Sequence, residues 1–290
     1  MLTGYLIYGL INSVVLVLVA LGFNLTFGIS GVANFAFGAL YVTAGFLAWI
    51  GLNTLSLPYW VSAPLAVLIT AVLAGLLYRV VVLRVRGLVV SEVIATFGVG
   101  LALLELFRFL GFIGFEYTLP DAGDFGVSVL GVVIDSQRLL IVAMGAALTA
   151  FLWLFTRYTT TGRAFRAIAQ DEHTALTLGI NTERTATIAV AFGAGYAAVA
   201  ALVILPLGTI AVNEGYNVLV NALAVCIVGG LGSTLGVIVA SFLIGMAQTL
   251  TAAYLGTHWM MIVSLVAILL ILLVRPSGLF GSHKQLEERI

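Results

Sequence analysis

The sequence predicts an all-α integral membrane protein: a polytopic helical bundle of about 8–9 membrane segments, some of them glycine-broken. Three observations predict it. Hydrophobic residues make up 62% of the chain and charged residues only 8%, against about 25% charged in an average soluble domain. Apolar runs of about 20 residues recur along the chain, the length a helix needs to cross hydrocarbon. Glycine is abundant, at 32 residues, and proline scarce, at 5, which suits helices packed closely through small residues. The spans are too long for barrel strands, and every backbone group inside lipid needs an internal partner, so helices are expected throughout the membrane.

The elements follow in order. The first span is read at 5–27. The N-terminus lacks the basic region and cleavage site of a secretory signal, so this span is expected to be retained. A glycine-serine break, GISG at 28–31, leads to a second span at 34–52. A short uncharged turn holding Pro58 precedes the third span, 60–82. The basic turn Arg84-Val85-Arg86 leads to the fourth, 89–114, and an acidic loop, 115–136, carries Glu116, Asp121, Asp124 and Asp135. The fifth span is 138–156, followed by a polar island at 157–184 and a sixth span at 186–208. A short apolar piece, 218–228, stops at the glycine break GGLGS, 229–233. Such a piece rises only about 16 Å and is read as a half-helix. Two spans, 235–254 and 258–274, and a polar tail, 275–290, complete a single transmembrane domain over 1–290.

Basic residues set the orientation. With the island inside the cell, Arg79, Arg84, Arg86, Arg157, Arg163, Arg166, Arg184, Arg275, Lys284 and Arg289 lie inside, and only Arg108 and Arg138 outside. That asymmetry obeys the positive-inside rule. It predicts an outer N-terminus and a cytoplasmic C-terminus in a bacterial inner membrane.

A weak internal repeat is visible. The first span, its GISG break and the second span resemble 218–228, GGLGS and the span after it. Broken helices at corresponding positions point to a transport pathway, which would be lined by Ser30, Asn34, Phe37 and Ser233. The same glycines also serve tight turns and close packing, and both readings stand at this stage.

The island, RYTTTGRAFRAIAQDEHTALTLGINTER, is charged in a chain that is otherwise nearly continuously apolar. It cannot lie in hydrocarbon. Thr161 is expected to cap a helix at its start and Gly179 at its end, with apolar and charged residues interleaved between them. One reading is a surface helix held by arginines on anionic lipid. The other is a coupling helix that docks on a cytoplasmic motor through Arg163, Phe165, Arg166, Asp171, Leu176 and Gly179.

Four stretches, in order along nearly the whole chain, resemble the branched-chain amino acid type of ABC-transporter permease, the high-affinity Liv-type membrane subunit. GRAFRAIAQDEHTALTLGIN (162–181) is similar to its cytoplasmic loop, through Gly162, Arg166-Ala167, Asp171, Ala175 and Gly179-Ile180. SGVANFAFGALYVTAGF (30–46) is similar to its second helix, written G-x-x-N-F-A-H-G, with Phe37 where the family commonly has His. GGLGSTLGVIVASFLIG (229–245) and RPSGLFG (275–281) resemble its late glycine-rich segment and its closing motif. The resemblance implies one membrane subunit of an importer. A second permease chain, identical or related, two ATPase subunits carrying ATP and Mg, and an external solute-binding protein would complete it. Branched-chain or other small neutral amino acids are the implied cargo; relatives carry urea, short amides or small organic acids.

The residues themselves exclude other roles. A phosphate-binding loop needs a lysine after glycine, and the only lysine, Lys284, follows His283 in the tail. His173, His258 and His283 are dispersed, so no triad or metal site is expected, and no cofactor or nucleic-acid partner. Cys226 is single and excludes an internal disulfide. Glu105 and Arg108 share a helix face and read as a structural pair, or as a polar lining or subunit contact. Glu92 suits the start of its helix. Asn24, Asn34 and Asn221 sit near breaks, either lining a pathway or satisfying freed backbone groups. An ion-coupled carrier, the remaining alternative, would need acids at mid-membrane, where only Glu105 qualifies and reads as interfacial; a membrane enzyme would need a clustered catalytic set, which is not seen.

Overall fold

The computed structural model describes residues 2–112, 117–121, 123, 125–129 and 131–281. Glu116, Asp124, His283, Lys284 and Arg289 lie outside the described residues.

The longest helix follows an uncharged run. α1 (Leu2–Ser30) carries no charge and ends where Gly31 adopts φ +67°. α2 (Phe37–Asn53), α3 (Tyr59–Val80) and α4 (Val89–Phe109) follow. Two short strands, β1 (Gly126–Val129) and β2 (Val132–Asp135), pair antiparallel across a turn in which Gly131 takes φ +80°. α5 (Ser136–Tyr158) leads to the island helices α6 (Thr160–Gln170) and α7 (Glu172–Thr177). α8 (Thr182–Ile204), α9 (Glu214–Gly229), α10 (Thr234–Leu255) and α11 (Met260–Val274) complete the bundle.

Among the described residues, seven helical stretches are long and apolar enough to cross a membrane. α2 and α9, of 17 and 16 residues, are shorter. They rise about 24–26 Å, against about 30 Å of hydrocarbon. The described residues thus hold seven long spans and two short apolar helices.

α1 and α8 are the most buried spans and form the centre of the bundle. α1 packs most extensively on α10 and α8, and α8 also on α3 and α2. In lipid, close backbone approach takes the place of hydrophobic exclusion. Gly38 of α2 and Gly215 of α9 show it: a methyl group on Gly38 would overlap the Gly215 carbonyl. α4 and α11 are peripheral, with most of their apolar side chains facing outward.

Four expectations are corrected. α1 continues through Gly28 to Ser30, so the first break lies at 31–36; the Thr26 and Ser30 hydroxyls bond backward to Gly22 and Thr26 carbonyls and fit within the helix. The half-helix expected at 218–228 starts four residues earlier, at Glu214. The acidic loop 115–136 contains a hairpin, because GVSV and VVID offer β-branched residues on both sides of a glycine turn. The island is two helices rather than one, interrupted at Asp171, whose backbone is extended at φ −161°.

Candidate translocation and coupling sites

The second glycine break meets the last turns of α1, just before the first break. The Asn24 side chain accepts a hydrogen bond from Gly232 N–H at 2.8 Å, and Gly28 lies against Gly232. The Ser30 hydroxyl donates to the Thr26 carbonyl at 2.8 Å and accepts from Val32 N–H at 3.2 Å. Ser233 caps α10 by accepting from Gly236 N–H at 3.1 Å. Phe37 is buried and meets Phe23 edge-on, ring centres 5.5 Å apart. These three side chains thus perform backbone and packing tasks in this conformation. Asn34 differs. It accepts from Ala36 N–H and also lines a cleft of about 20 Å³ with Tyr78 and Thr96. The Tyr78 hydroxyl is buried there with no hydrogen-bond partner among the described residues.

The second break is braced by the chain's end. Helix α9 leaves its last carbonyls unpaired, as any helix does. Leu279 and Phe280 donate their N–H groups to the Val228 and Gly229 carbonyls at 2.9 and 3.0 Å. The closing motif RPSGLFG therefore lies directly on GGLGS. Gly230 (φ +98°) and Gly278 (φ +79°) are in backbone contact, and a methyl on Gly278 would come within 2.5 Å of Gly230 Cα.

The island divides by task. Thr159, not Thr161, caps α6, accepting from Gly162 N–H at 2.9 Å. The reason is Gly162, which packs on the Phe155 backbone where no side chain fits and so draws the start of α6 back to Thr159. Phe165 is 2% exposed and sits among Phe155 and Phe192, ring centres 5.9 and 6.5 Å away. It anchors α6 to α5 and α8 and is not free to enter a partner's groove. Arg163, Arg166 and Asp171 are exposed, and so are Leu176 and Leu178 on α7. Asp171 caps α7, accepting from the Thr174 amide at 3.0 Å and the Thr174 hydroxyl at 2.7 Å. Those bonds hold its carboxyl below the usual range, the amide contributing most. Gly179 takes φ +82°, and Ile180 N–H returns to the Ala175 carbonyl at 3.1 Å, closing a Schellman end.

A family described as "Branched-chain amino acid transport system / permease component" matches residues 5–273. The chain belongs to this family of ABC-transporter permeases. The high-affinity branched-chain amino acid transport system permease protein BraD of Pseudomonas aeruginosa is 29% identical over 95% of this chain and 94% of its own. LivH of Escherichia coli is 27% identical over 91% and 90%. LivM of the same organism is 26% identical, over 92% of this chain and 68% of its own length. A solved structure, PsaBC from Streptococcus pneumoniae in complex with Fab, aligns with TM-score 0.51 and 13% identity over 95% of this chain and 94% of that one. That last likeness shows the fold alone.

Within this permease, sequence reasoning missed a buried polar cluster. Gln248 of α10 donates to Asn221 of α9 at 3.0 Å and to Ser264 of α11 at 2.7 Å, and accepts from Asn12 of α1 at 3.1 Å. The Ser264 hydroxyl also reaches Asn221 at 2.8 Å. Hydrogen bonds across four helices substitute for the water that lipid excludes, and they give peripheral α11 its one polar attachment among the described residues. Only Asn221 is signalled in sequence, by its nearness to a break. The Glu105–Arg108 pair forms at 2.6 Å, and Arg108 also donates to Asn213 at 2.7 Å. Glu92 accepts from Gly87 N–H at 2.8 Å.

Proposed function

We propose that this chain is the membrane-spanning permease subunit of a binding-protein-dependent ABC importer for branched-chain or other small neutral amino acids. The observation that carries the reading is the family match across residues 5–273, joined to an island whose second helix presents Leu176 and Leu178 outward. Exposed apolar side chains on an island that also exposes Arg163 and Arg166 suit a protein groove rimmed with polar groups. Two ATPase subunits, holding ATP and Mg, dock there. This chain holds no cofactor of its own.

The likeness to both LivH and LivM supports pairing with a second permease, identical or related. A solute-binding protein delivers cargo from outside. The excess of basic residues on the island side supports a cytoplasmic island in a bacterial inner-membrane protein, with the N-terminus outside and the C-terminus cytoplasmic. One transmembrane domain spans the chain, and the translocation route runs beside the two breaks. Alternating access moves cargo past Asn34. Relatives carrying urea, short amides or small organic acids mark the alternative cargo, since Phe37 replaces the family's usual His.

Reconstitution tests this. Vesicles holding this chain, its partner permease, the ATPases and the binding protein are expected to accumulate labelled leucine only with ATP. Vesicles with this chain alone are expected to take up none. Uptake by the chain alone, or uptake by the full set without ATP, would overturn the reading.

A further inference from the structure

α4 and the turn before it touch α7, the first break and the residue before α9, while α4 is held along only one face. Its outward face carries Val90, Ile94 and Phe109, all strongly exposed, and within the membrane it packs on α2. An element with so few buried contacts moves at low cost.

Its attachments lie at three heights. At the island end, Arg86 in the turn before α4 pairs with Glu172 of α7 at 2.5 Å. Gly87, next in the chain, is tied into α4 by the buried Glu92 carboxylate. One turn further, Thr96 accepts from Phe35 N–H at 3.3 Å, inside the first break. Gly100, another turn on, lies so close that a methyl there would meet Ala36 Cα at 3.1 Å. At the far end Arg108 holds Asn213, the residue before α9, and Phe107 stacks on Phe46 of α2 at 4.8 Å. One helix thus joins α7 to the first break and to the start of the second broken unit.

α4 also forms one wall, through Thr96 and Val99, of the cleft beside Asn34. At about 20 Å³ this cleft is far below the roughly 300 Å³ of the smallest ligand pockets. Movement of α4 away from the break would widen it, because Thr96 and Val99 close that side.

We propose that α4 is the lever that carries displacement of the island to the translocation route, and that the Arg86–Glu172 ion pair is its joint. Arg86 and Glu172 are positioning residues on this assignment: they touch neither cargo nor ATP. The proposal rests on the island being the ATPase contact. It needs a rigid element that both sites bias, and an unbroken helix supplies one.

The test uses the complete transporter in vesicles, with labelled leucine as cargo and hydrolysed phosphate as the second readout. Arg86→Glu, Glu172→Arg and the neutral Glu172→Gln are each expected to raise the ATP spent per leucine about fivefold or more, the scale of a modest coupling energy. The ATPases stay bound in pull-down. The double variant Arg86→Glu/Glu172→Arg is expected to restore the ratio to near wild type. An unchanged ratio in the single variants, a double variant as defective as either single, or loss of the ATPases from the singles would overturn the proposal. The last result would mean that these side chains touch the motor directly.

A second readout does not depend on leucine. A cysteine at Asn34 should react faster with a soluble maleimide when Arg86→Glu is present, and at the original rate in the double variant. An unchanged rate rejects the lever. Absence of ATP-driven leucine uptake by the wild-type set rejects the importer reading instead, and the labelling rates still decide the lever.

Discussion

At Gly278 a single methyl group would reach into the backbone of Gly230, and both residues have positive φ. Gly278→Ala carries a left-handed backbone penalty of about 1–2 kcal/mol, with overlap added to it. It is expected to free residues 279–281 from the end of α9 and leave the Val228 and Gly229 carbonyls unpaired. Faster proteolysis of the tail in membranes and a lower unfolding temperature in detergent would register this; wild-type behaviour in both would show that the tail contact is dispensable. Asp171 makes a second prediction at this scale. Its carboxyl titrates below the ordinary 3.8 because it accepts two bonds from Thr174 in the folded loop. A depressed carboxyl stabilises the fold above its unfolded pKa and loses that contribution as pH falls through the lower folded value. The α7 cap is therefore complete at neutral pH and fades only in acid below 3.8. Asp171→Asn should keep Thr174 amide exchange slow at pH 7, because Asn also caps, and Asp171→Ala should speed it. Equal exchange in both variants would show that the cap does not hold α7.

At the scale of elements, the island is an anchored helix followed by a presented one. Leu176→Asp alters a side chain that is 48% exposed and should leave the chain folded. It is expected to reduce ATPase pull-down at least tenfold, as loss of a buried interface anchor does. Phe165→Asp places a charge among Phe155 and Phe192 and should lower the yield of folded chain before any docking is measured. Arg166→Ala should do less than either, because desolvation offsets the worth of an interfacial charge. If Arg166→Ala released the chain from anionic vesicles' stabilising effect while Leu176→Asp left ATPase binding intact, the island would be a lipid anchor instead. Arg157 belongs to that surface in either case, lying over the Trp153 ring at 5.1 Å in an aromatic belt.

At the scale of the whole molecule, topology and packing make one statement. Basic residues gather on the island side, and the hairpin β1–β2 lies at the other ends of the spans. Cysteines at Gly179 and Ser128 are expected to label from opposite faces, Gly179→Cys only after the membrane is opened and Ser128→Cys in intact spheroplasts. Labelling of both from one side would refute the orientation. The two broken units do not act alone in this architecture: α1 supplies Asn24 to the second break, and α4 supplies Thr96 to the first.

The sequence by itself determined the class, the order of the helices and the position of the island. Those follow from apolar run length and from charges that cannot enter lipid, and both are local properties. It also marked the second glycine break and Gly179, because only glycine takes positive φ freely, whereas the first break, expected at 28–31, lies at 31–36. Tertiary structure alone decided what those breaks touch. Thr96, Gly100 and Arg86 look unremarkable along the chain, and Gln248 and Ser264 stand alone in apolar runs; each acquires its partner only when helices far apart in sequence are packed together. Phe165 and Leu176 look alike in sequence, both apolar on a charged helix. Phe165 is buried between α5 and α8 and Leu176 is exposed beyond the bend at Asp171, where α7 buries Ala175 instead, a division no residue pattern encodes.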